Sequence, residues 1–150
     1  MNIVPLTEEN LQVYLNLAQC YEGEFSAITG KKPNQQGLFE LDTQLDDSTI
    51  GLLLIIEDTP CAFAAIAIKE DKSYEICEFY VVPSFRKNSV GMKFARMIWS
   101  IYPGDWEIKQ IAGAEYASAF WRKAIHTIYQ EDRYEDSYWG TVTRQRFTIN

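Results

Sequence analysis

Apolar and polar residues alternate along the chain with two periods, and the changes between the periods predict the order of the elements. Residues 2–5 are typical of a short strand, after which apolar side chains recur at helical spacing to about Cys20. Three apolar runs then follow one another, separated by short polar turns: 51–57, 61–68 and 74–82. Short turns between such runs predict an antiparallel meander.

After the meander the period returns to that of a helix. From Ser89 onward the apolar residues fall on one helical face, and Pro103 followed by Gly104 ends that helix. The remaining segments predict, in order, a strand, an amphipathic helix and two further strands: 106–111, 117–128 and 133–149. A turn or bulge is expected near Gly140 in the last of these.

The pattern is weakest between the first helix and the meander. Residues 23–33 contain Gly, Lys and Pro and predict a loop or a short irregular helix, and 37–44 suggest a second short helix. The whole order predicts an α/β (α+β) fold in a single domain covering 1–150. Its central sheet is expected to be mixed, because a helix precedes the strand at 106–111 and allows a parallel neighbour.

Composition limits the kinds of partner that the protein can have. The chain has 150 residues, 47% of them apolar and 23% charged, which is typical of one globular domain. No apolar run approaches the roughly 20 residues that span a bilayer, and the start does not resemble a signal peptide. The three cysteines lack C-x-x-C spacing and suggest a reduced, cytoplasmic compartment. A net charge of −7 argues against nucleic acid as a partner. No metal-ligand pattern is visible.

Against this acidic background, a basic loop stands out between the meander and the following helix. The stretch "FRKNSVGMKF" (85–94) follows an apolar strand and opens a helix. The start of a helix has unpaired N–H groups and partial positive charge, so it favours an anion, and Arg86 and Lys87 add full charges there. The alternative interpretation is an ordinary capped turn with solvated basic residues.

Two segments resemble the GNAT superfamily of N-acetyltransferases. "VVPSFRKNSVG" resembles its acetyl-CoA-binding motif, with Arg86 at the first motif position, Ser89 in place of the first glycine and Gly91 as the second glycine. "AEYASAFWRKAI" resembles a later helix of the superfamily, although Ala114 stands where Asn is usual and Trp121 where Tyr is usual. The order of elements along nearly the whole chain also fits this fold.

The resemblance implies a site for acetyl-CoA in a gap between the strands at 74–82 and 106–111. Backbone groups of the first strand would bind the pantetheine arm, amides of the loop would bind the pyrophosphate, and the later helix would contribute one side chain. The cofactor-binding residues expected on this basis are Tyr80, Val81, Val82, Arg86, Lys87, Asn88, Ser89, Val90, Gly91 and Trp121. An acceptor amine, of a small molecule or a peptide, would attack acetyl-CoA directly. A homodimer is common in this superfamily, although no segment here marks an interface.

Direct attack needs a base for the amine proton. Glu78, near the end of the strand beside the cofactor, is the first candidate and Glu75 the second. An ideal strand directs these two side chains to opposite faces, so only one can face the gap unless a bulge intervenes. Because Trp121 cannot donate a proton to the leaving thiolate, Tyr116, or alternatively Tyr80, is the candidate acid. Cys77 is interpreted as an apolar strand residue rather than a nucleophile.

The departures at Ser89, Ala114 and Trp121 leave a second interpretation open. In that alternative the domain is a non-catalytic GNAT-like module that binds acyl-CoA or a protein partner without turnover. A weaker third possibility is a domain that no longer binds CoA. Acyl transfer to a panel of amines separates the enzyme from the module.

Overall fold

The computed structural model describes residues 1–128 and 142–150, together with the backbone of 134–139. In this part of the chain there are three α-helices and seven strands: β1 (Asn2–Pro5), α1 (Leu11–Thr29), β2 (Thr49–Ile56), β3 (Thr59–Ile68), β4 (Tyr74–Val81), α2 (Val90–Ile101), β5 (Gly104–Ile111), α3 (Glu115–His126), β6 (Tyr134–Trp139) and β7 (Val142–Ile149). The turn expected at Gly140 lies outside the described residues. No helix in the described segments is long and apolar enough to cross a membrane.

The strands form one sheet in the order β1-β2-β3-β4-β5-β7-β6. All neighbouring pairs are antiparallel except β4 and β5, which run parallel because α2 connects them as a crossover. The predicted meander corresponds to β2, β3 and β4. The mixed sheet expected from the order of elements is therefore confirmed.

The two faces of the sheet carry separate apolar clusters. Helices α2 and α3 pack on one face, where the largest fully buried side chains include Trp99, Trp106 and Phe94. Helix α1 packs on the other face, with Tyr14 and Ala18 against residues of β2, β3 and β4. Each helix buries one apolar stripe, as its 3.6-residue period requires.

The segment between α1 and β2 differs from the prediction in two ways. Helix α1 continues past Cys20 to Thr29 and ends at Gly30, whose left-handed backbone (φ 71°) lets its N–H bond the Ser26 carbonyl. Residues 37–44 form no helix, so that expectation was wrong. Their backbone is held by a side chain of α1 instead: the Gln19 amide donates to the Phe39 carbonyl (2.9 Å) and accepts from its N–H (2.8 Å).

Candidate active site

The one parallel pair of the sheet opens into a gap. β4 and β5 pair only from Tyr74–Trp106 to Ile76–Ile108. Directly after this point Cys77 has no partner in β3, since Ala65 pairs with Glu78 and the adjacent Ile66 pairs with Ile76. One extra residue in β4 is a bulge, which bends the strand and increases its twist. The separation of these two strands, expected from the resemblance, is present.

The bulge places both candidate bases on the α1 face of the sheet. Their partners therefore distinguish them, and not the face on which they lie. Ile76 belongs to the α2/α3 cluster, so Glu75 faces the other way, and the extra residue brings Glu78 back to the same face as Glu75. Glu75 is neutralised there by Lys69 (3.4 Å) and Lys109 (3.3 Å). Glu78 lies beyond the last paired residue, beside the gap.

Glu78 lines a small cavity beneath α1. The cavity has a volume of about 10 Å³, and its walls are formed by Tyr14, Ala18, Tyr21, Glu22, Leu41, Thr43, Phe63 and Glu78. The Thr43 hydroxyl donates to Oε1 of Glu78 (2.8 Å), and the Tyr21 side chain lines the same cavity, within electrostatic reach of this carboxylate. Burial raises the pKa of Glu78, although these two hydroxyls lower it in part. A carboxylate with a raised pKa beside a gap is the kind of group that serves as a general base.

Cys77, at the bulge itself, is not an activated thiol. Burial, followed by the charge of Glu75, raises its pKa to about 11. A thiol with that pKa stays protonated at neutral pH and is a poor nucleophile. The interpretation of Cys77 as an apolar strand residue is consistent with this environment.

Of the three strand residues predicted to bind the cofactor, only Val81 directs its backbone polar groups toward the gap. The Val82 N–H donates to the Cys61 carbonyl of β3 (2.9 Å). Because hydrogen-bonded pairs alternate along an antiparallel ladder, Tyr80 also bonds toward β3, while Phe79 and Val81 point to the other side. The backbones of Tyr80 and Val82 are thus already bonded to β3, and within the expected stretch from Phe79 to Val82 only Phe79 and Val81 face the other side.

The loop before α2 has a strained backbone at two successive residues. Asn88 (φ 56°) and Ser89 (φ 58°) are both left-handed, a conformation that costs an ordinary residue about 1 kcal/mol. Ser89 occupies the N-cap position without a side-chain capping bond, and its carbonyl accepts the Lys93 N–H (2.9 Å). The amides of Gly91 and Met92 precede that bond, in the turn that has no intrahelical acceptors. Lys87 is exposed next to them, whereas the Val90 side chain is buried.

Two aromatic residues of α3, Phe120 and Trp121, pack against β4, and Phe120 also lies against the start of α2. A Cβ at Gly91 would come within 3.2 Å of the Phe120 ring, so this glycine allows close packing of Phe120. Trp121 is only 5% exposed and packs edge-on against Phe79 with 4.7 Å between ring centroids. The structure therefore places Trp121 in the core, and its expected contact with the cofactor stays a prediction.

Arg86 is turned toward α1. Its two terminal nitrogens bond both carboxylate oxygens of Glu24 (2.8 and 2.7 Å), and Nε donates to the Val81 carbonyl (2.8 Å). The guanidinium also lies over the Tyr80 ring, 5.5 Å from its centroid. In this arrangement Arg86 fixes the loop to α1. Tyr116 lies within electrostatic range of Arg86, is 81% exposed and does not line the cavity at Glu78.

The sequence reasoning missed three residues that build this site: Tyr21, Thr43 and Phe120. Tyr21 could have been found, because Tyr14, Ala18 and Tyr21 continue the helical spacing of α1. No local pattern marks Thr43, which comes from an irregular segment and contacts Glu78 across 35 positions in sequence.

No protein-family model matches the sequence, and a comparison with curated proteins gives no match either. Solved structures are nevertheless similar over almost the whole chain. PaiA N-acetyltransferase from Thermoplasma acidophilum, in complex with coenzyme A, has a TM-score of 0.66 at 11% identity, covering 99% of this chain and 100% of that one. The ribosomal-protein-S18-alanine N-acetyltransferase of Escherichia coli has a TM-score of 0.64 at 13% identity, covering 99% and 94%. The GNAT domain of S. lividans PAT has a TM-score of 0.67 at 12% identity, covering 98% and 89%.

The chain has the GNAT fold. The order of its elements, the mixed sheet and the separation of β4 from β5 are thus properties of a known architecture. At 11–13% identity the likeness concerns the fold alone. Within this GNAT fold, function has to be argued from the residues beside the gap.

Proposed function

We propose that the protein is an acetyl-CoA-dependent N-acetyltransferase. It moves an acetyl group to a primary amine of a small molecule or a peptide, by direct attack in a ternary complex. The observation that carries the proposal is the β4–β5 gap, which has Glu78 on its α1 side and the start of α2 at its end. Solved structures of the same fold support it, since one contains coenzyme A and another is named for acetylating an alanine of a ribosomal protein.

The residues at the start of α2 fit a pyrophosphate group. The left-handed backbone at Asn88 and Ser89 precedes a helix N-terminus, and Lys87 adds an exposed positive charge. The Ser89 hydroxyl, which makes no capping bond, can donate to a phosphate oxygen. The backbone of Phe79 and the N–H of Val81 face the gap and suit the amides of a pantetheine arm, while the Val81 carbonyl accepts from Arg86. Arg86 acts indirectly in this proposal, by fixing the loop through Glu24.

Glu78 is assigned the general base. Acetyl-CoA supplies the acetyl group as a thioester. An acceptor amine is protonated at neutral pH and must lose a proton before its nitrogen can attack. Glu78 takes that proton, the new C–N bond forms, and the C–S bond breaks with its electron pair leaving on sulfur. The nitrogen then loses its second proton to solvent as the amide forms. Tyr116 stays the candidate donor to that sulfur, although a thiol with a pKa of about 8.5 can leave as the thiolate.

The acceptor is proposed to reach Glu78 from the side of α1 and the segment 30–48. Acidic and aromatic side chains on this side suit a cationic amine: Glu22, Glu24, Phe25, Phe39 and Glu40. The structure pairs two of those acids already, Glu22 with Lys31 (2.9 Å) and Glu24 with Arg86 (2.7 Å). Glu78 is the carboxylate of this side that has only hydroxyl partners, so it is the group that would receive the amine.

Calorimetric titration with acetyl-CoA tests the cofactor site. Saturable binding is expected, and Lys87→Ala should weaken it by roughly tenfold, as for one lost charge-assisted bond to a phosphate. Lys123→Ala removes an exposed lysine from the last turn of α3 and is the matched control, with unchanged affinity expected. Titration with free CoA should give similar heat. No binding of either ligand would rule out the proposed function.

Product formation is then measured with a panel of amines that includes peptides with N-terminal alanine. A non-catalytic CoA-binding module is the second candidate. The observation that favours it is the placement of the two expected side chains of α3, with Tyr116 exposed and Trp121 in the core. Binding of acetyl-CoA without product from any amine would decide for the module. Product that disappears in Glu78→Gln would decide for the enzyme.

A further inference from the structure

The irregular segment 30–48 is anchored over the candidate base by polar contacts to α1. Gln19 makes the reciprocal pair of bonds to the Phe39 backbone described above. Lys31 Nζ contacts three oxygens, those of Glu22 (2.9 Å), Asp42 (3.0 Å) and the Glu40 carbonyl (2.8 Å). These contacts fix the chain on both sides of residue 40 and bring Thr43 onto Glu78.

We propose that Thr43 and Tyr21 are positioning residues that hold the Glu78 carboxylate in place for proton transfer. This inference rests on the proposed function and adds to it the two groups that orient the base. Thr43 donates to Oε1 at 2.8 Å from the anchored segment. Tyr21 reaches the same cavity from α1, with its ring packed against Phe25 (centroids 5.5 Å apart) and Tyr80 (5.8 Å), and its phenol is assigned as the second donor. Two donors on different elements fix the orientation of a carboxylate better than one donor does.

The chemistry of the two hydroxyls makes them donors to Glu78. Burial and the charge of Glu78 raise the pKa of Tyr21, so its phenol stays protonated across the working range of pH. A threonine hydroxyl does not titrate in that range. Both groups favour the charged form of Glu78 and counteract burial, which favours the neutral form. Loss of either hydroxyl is therefore expected to raise the pKa of Glu78 further.

Other ionisable groups also affect the pKa of Glu78. The titratable groups near Glu78 are Tyr14, Tyr21 and Glu22 on α1, Asp42 in the segment 30–48, and Cys77 on β4. Glu22 and Asp42 raise the pKa of Glu78 through their negative charge, and both are held by Lys31. Substitution of an uncharged hydroxyl leaves these charges in place, which isolates the hydrogen bond.

The test compares Thr43→Val and Tyr21→Phe with two controls. Thr43→Ser keeps the hydroxyl. Thr148→Val removes a threonine hydroxyl that donates to a different carboxylate, Asp105 (2.6 Å), away from the gap. The titration of Glu78 is followed by carbon NMR of protein labelled at the glutamate carboxyls, and the pH profile of kcat/KM is measured for an amine that is acetylated. Circular dichroism confirms that each variant is folded.

Thr43→Val and Tyr21→Phe are expected to shift the Glu78 titration to higher pH and to move the acid limb of the rate profile with it. The rate at pH 7 should fall roughly tenfold, as for one lost hydrogen bond to a charged group, with an unchanged KM for acetyl-CoA. Thr43→Ser and Thr148→Val should behave like the wild type. An unmoved titration with intact transfer overturns the positioning role alone. A shifted titration without product from any amine overturns the proposed function, and with it the assignment of Glu78 as a base.

Discussion

Two carboxylates on the same face of the sheet, Glu107 buried and Glu78 half-buried, have opposite electrostatic surroundings. Glu107 on β5 contacts Lys69 and lies 2.7 Å from Arg144. Burial alone would raise the pKa of Glu107, but Lys69, Lys109 and Arg144 lower it below its ordinary value. Glu78 on β4 has hydroxyl partners only, and burial raises its pKa. The two strands are neighbours, and the partners of the two carboxylates differ: cations surround Glu107, and none in the described part of the chain contacts Glu78.

The difference teaches which carboxylate is suited to chemistry. A carboxylate that is fully neutralised by cations is a poor proton acceptor, because protonation would break its ion pairs. One that is desolvated and held only by hydroxyls can accept a proton at a pH close to neutral. Glu107 therefore stabilises the pairing of β3, β5 and β7, while Glu78 is the candidate base.

The largest effect is expected for Glu78→Gln. The rate of acetyl transfer should fall at least roughly a hundredfold, which is the lower end for loss of a general base. The same substitution should raise the free energy of unfolding at pH 8, because the folded protein no longer buries that charge. Transfer kinetics and urea unfolding measure the two effects on one variant.

Glu75→Gln is the matched control for that variant, because Glu75 lies on the same strand and the same face but is paired with Lys69 and Lys109. Its rate of transfer should stay within a few-fold of the wild type. An equal loss of rate in both variants would mean that the contrast between paired and unpaired carboxylates does not identify the base.

Lys69→Met is expected to have the next largest effect, on stability rather than on rate. Lys69 contacts both Glu75 and Glu107, so its loss leaves two partly buried carboxylates with fewer cations. The expected loss is about 1–3 kcal/mol in the free energy of unfolding, measured in urea. Lys69→Arg keeps the charge and should lose less. A stable Lys69→Met variant with impaired transfer would reverse the roles assigned to the two sites.

The pH dependence of stability should separate the two carboxylates by sign. The pKa of Glu78 is raised on folding, so its contribution is present at low pH and is lost as pH rises through its folded pKa. The pKa of Glu107 is lowered, so its contribution is present above the unfolded pKa and is lost as pH falls through its folded pKa. Glu78→Gln should flatten the stability curve from about pH 5 upward, and Glu107→Gln below about pH 4. Curves of both variants that are parallel to the wild type would contradict these surroundings.

Local patterns predicted most of the fold. Apolar periodicity and the Pro103–Gly104 break located the meander and α2, because these elements bury their faces at fixed spacings. The end of α1 was missed, since a glycine at position 23 suggested a break that tertiary packing overrides. The position of the bulge at Cys77 could not be predicted either. It is a change in the pairing of β4 with β3, and the apolar pattern of β4 alone does not show it.

The candidate site was predicted in part. Glu78 was found because a carboxylate near the end of a strand is conspicuous. Its partner Thr43 was not, because the contact spans irregular chain. The resemblance placed a glycine where Ser89 stands, and the left-handed backbone at Ser89 (φ 58°) agrees with that placement. Gly91 was matched through the motif alone, and the structure adds a packing reason for it, since the ring of Phe120 lies against it.

The smallest effect is expected for Tyr116→Phe. Tyr116 was selected from the sequence as a proton donor, but its side chain is 81% exposed on the first turn of α3 and has no contact with the enclosed carboxylate. A thiolate is a sufficient leaving group without an acid, because a free thiol ionises near pH 8.5. The rate of transfer at pH 7 should therefore stay within about twofold of the wild type. Tyr21→Phe is the paired measurement, since it removes the phenol assigned as a donor to Glu78 and should cost roughly tenfold. A rate of transfer that falls more than tenfold in Tyr116→Phe and is unchanged in Tyr21→Phe would show that the exposed phenol is the one that acts. The hydroxyl surroundings of Glu78 would then not mark the reacting site.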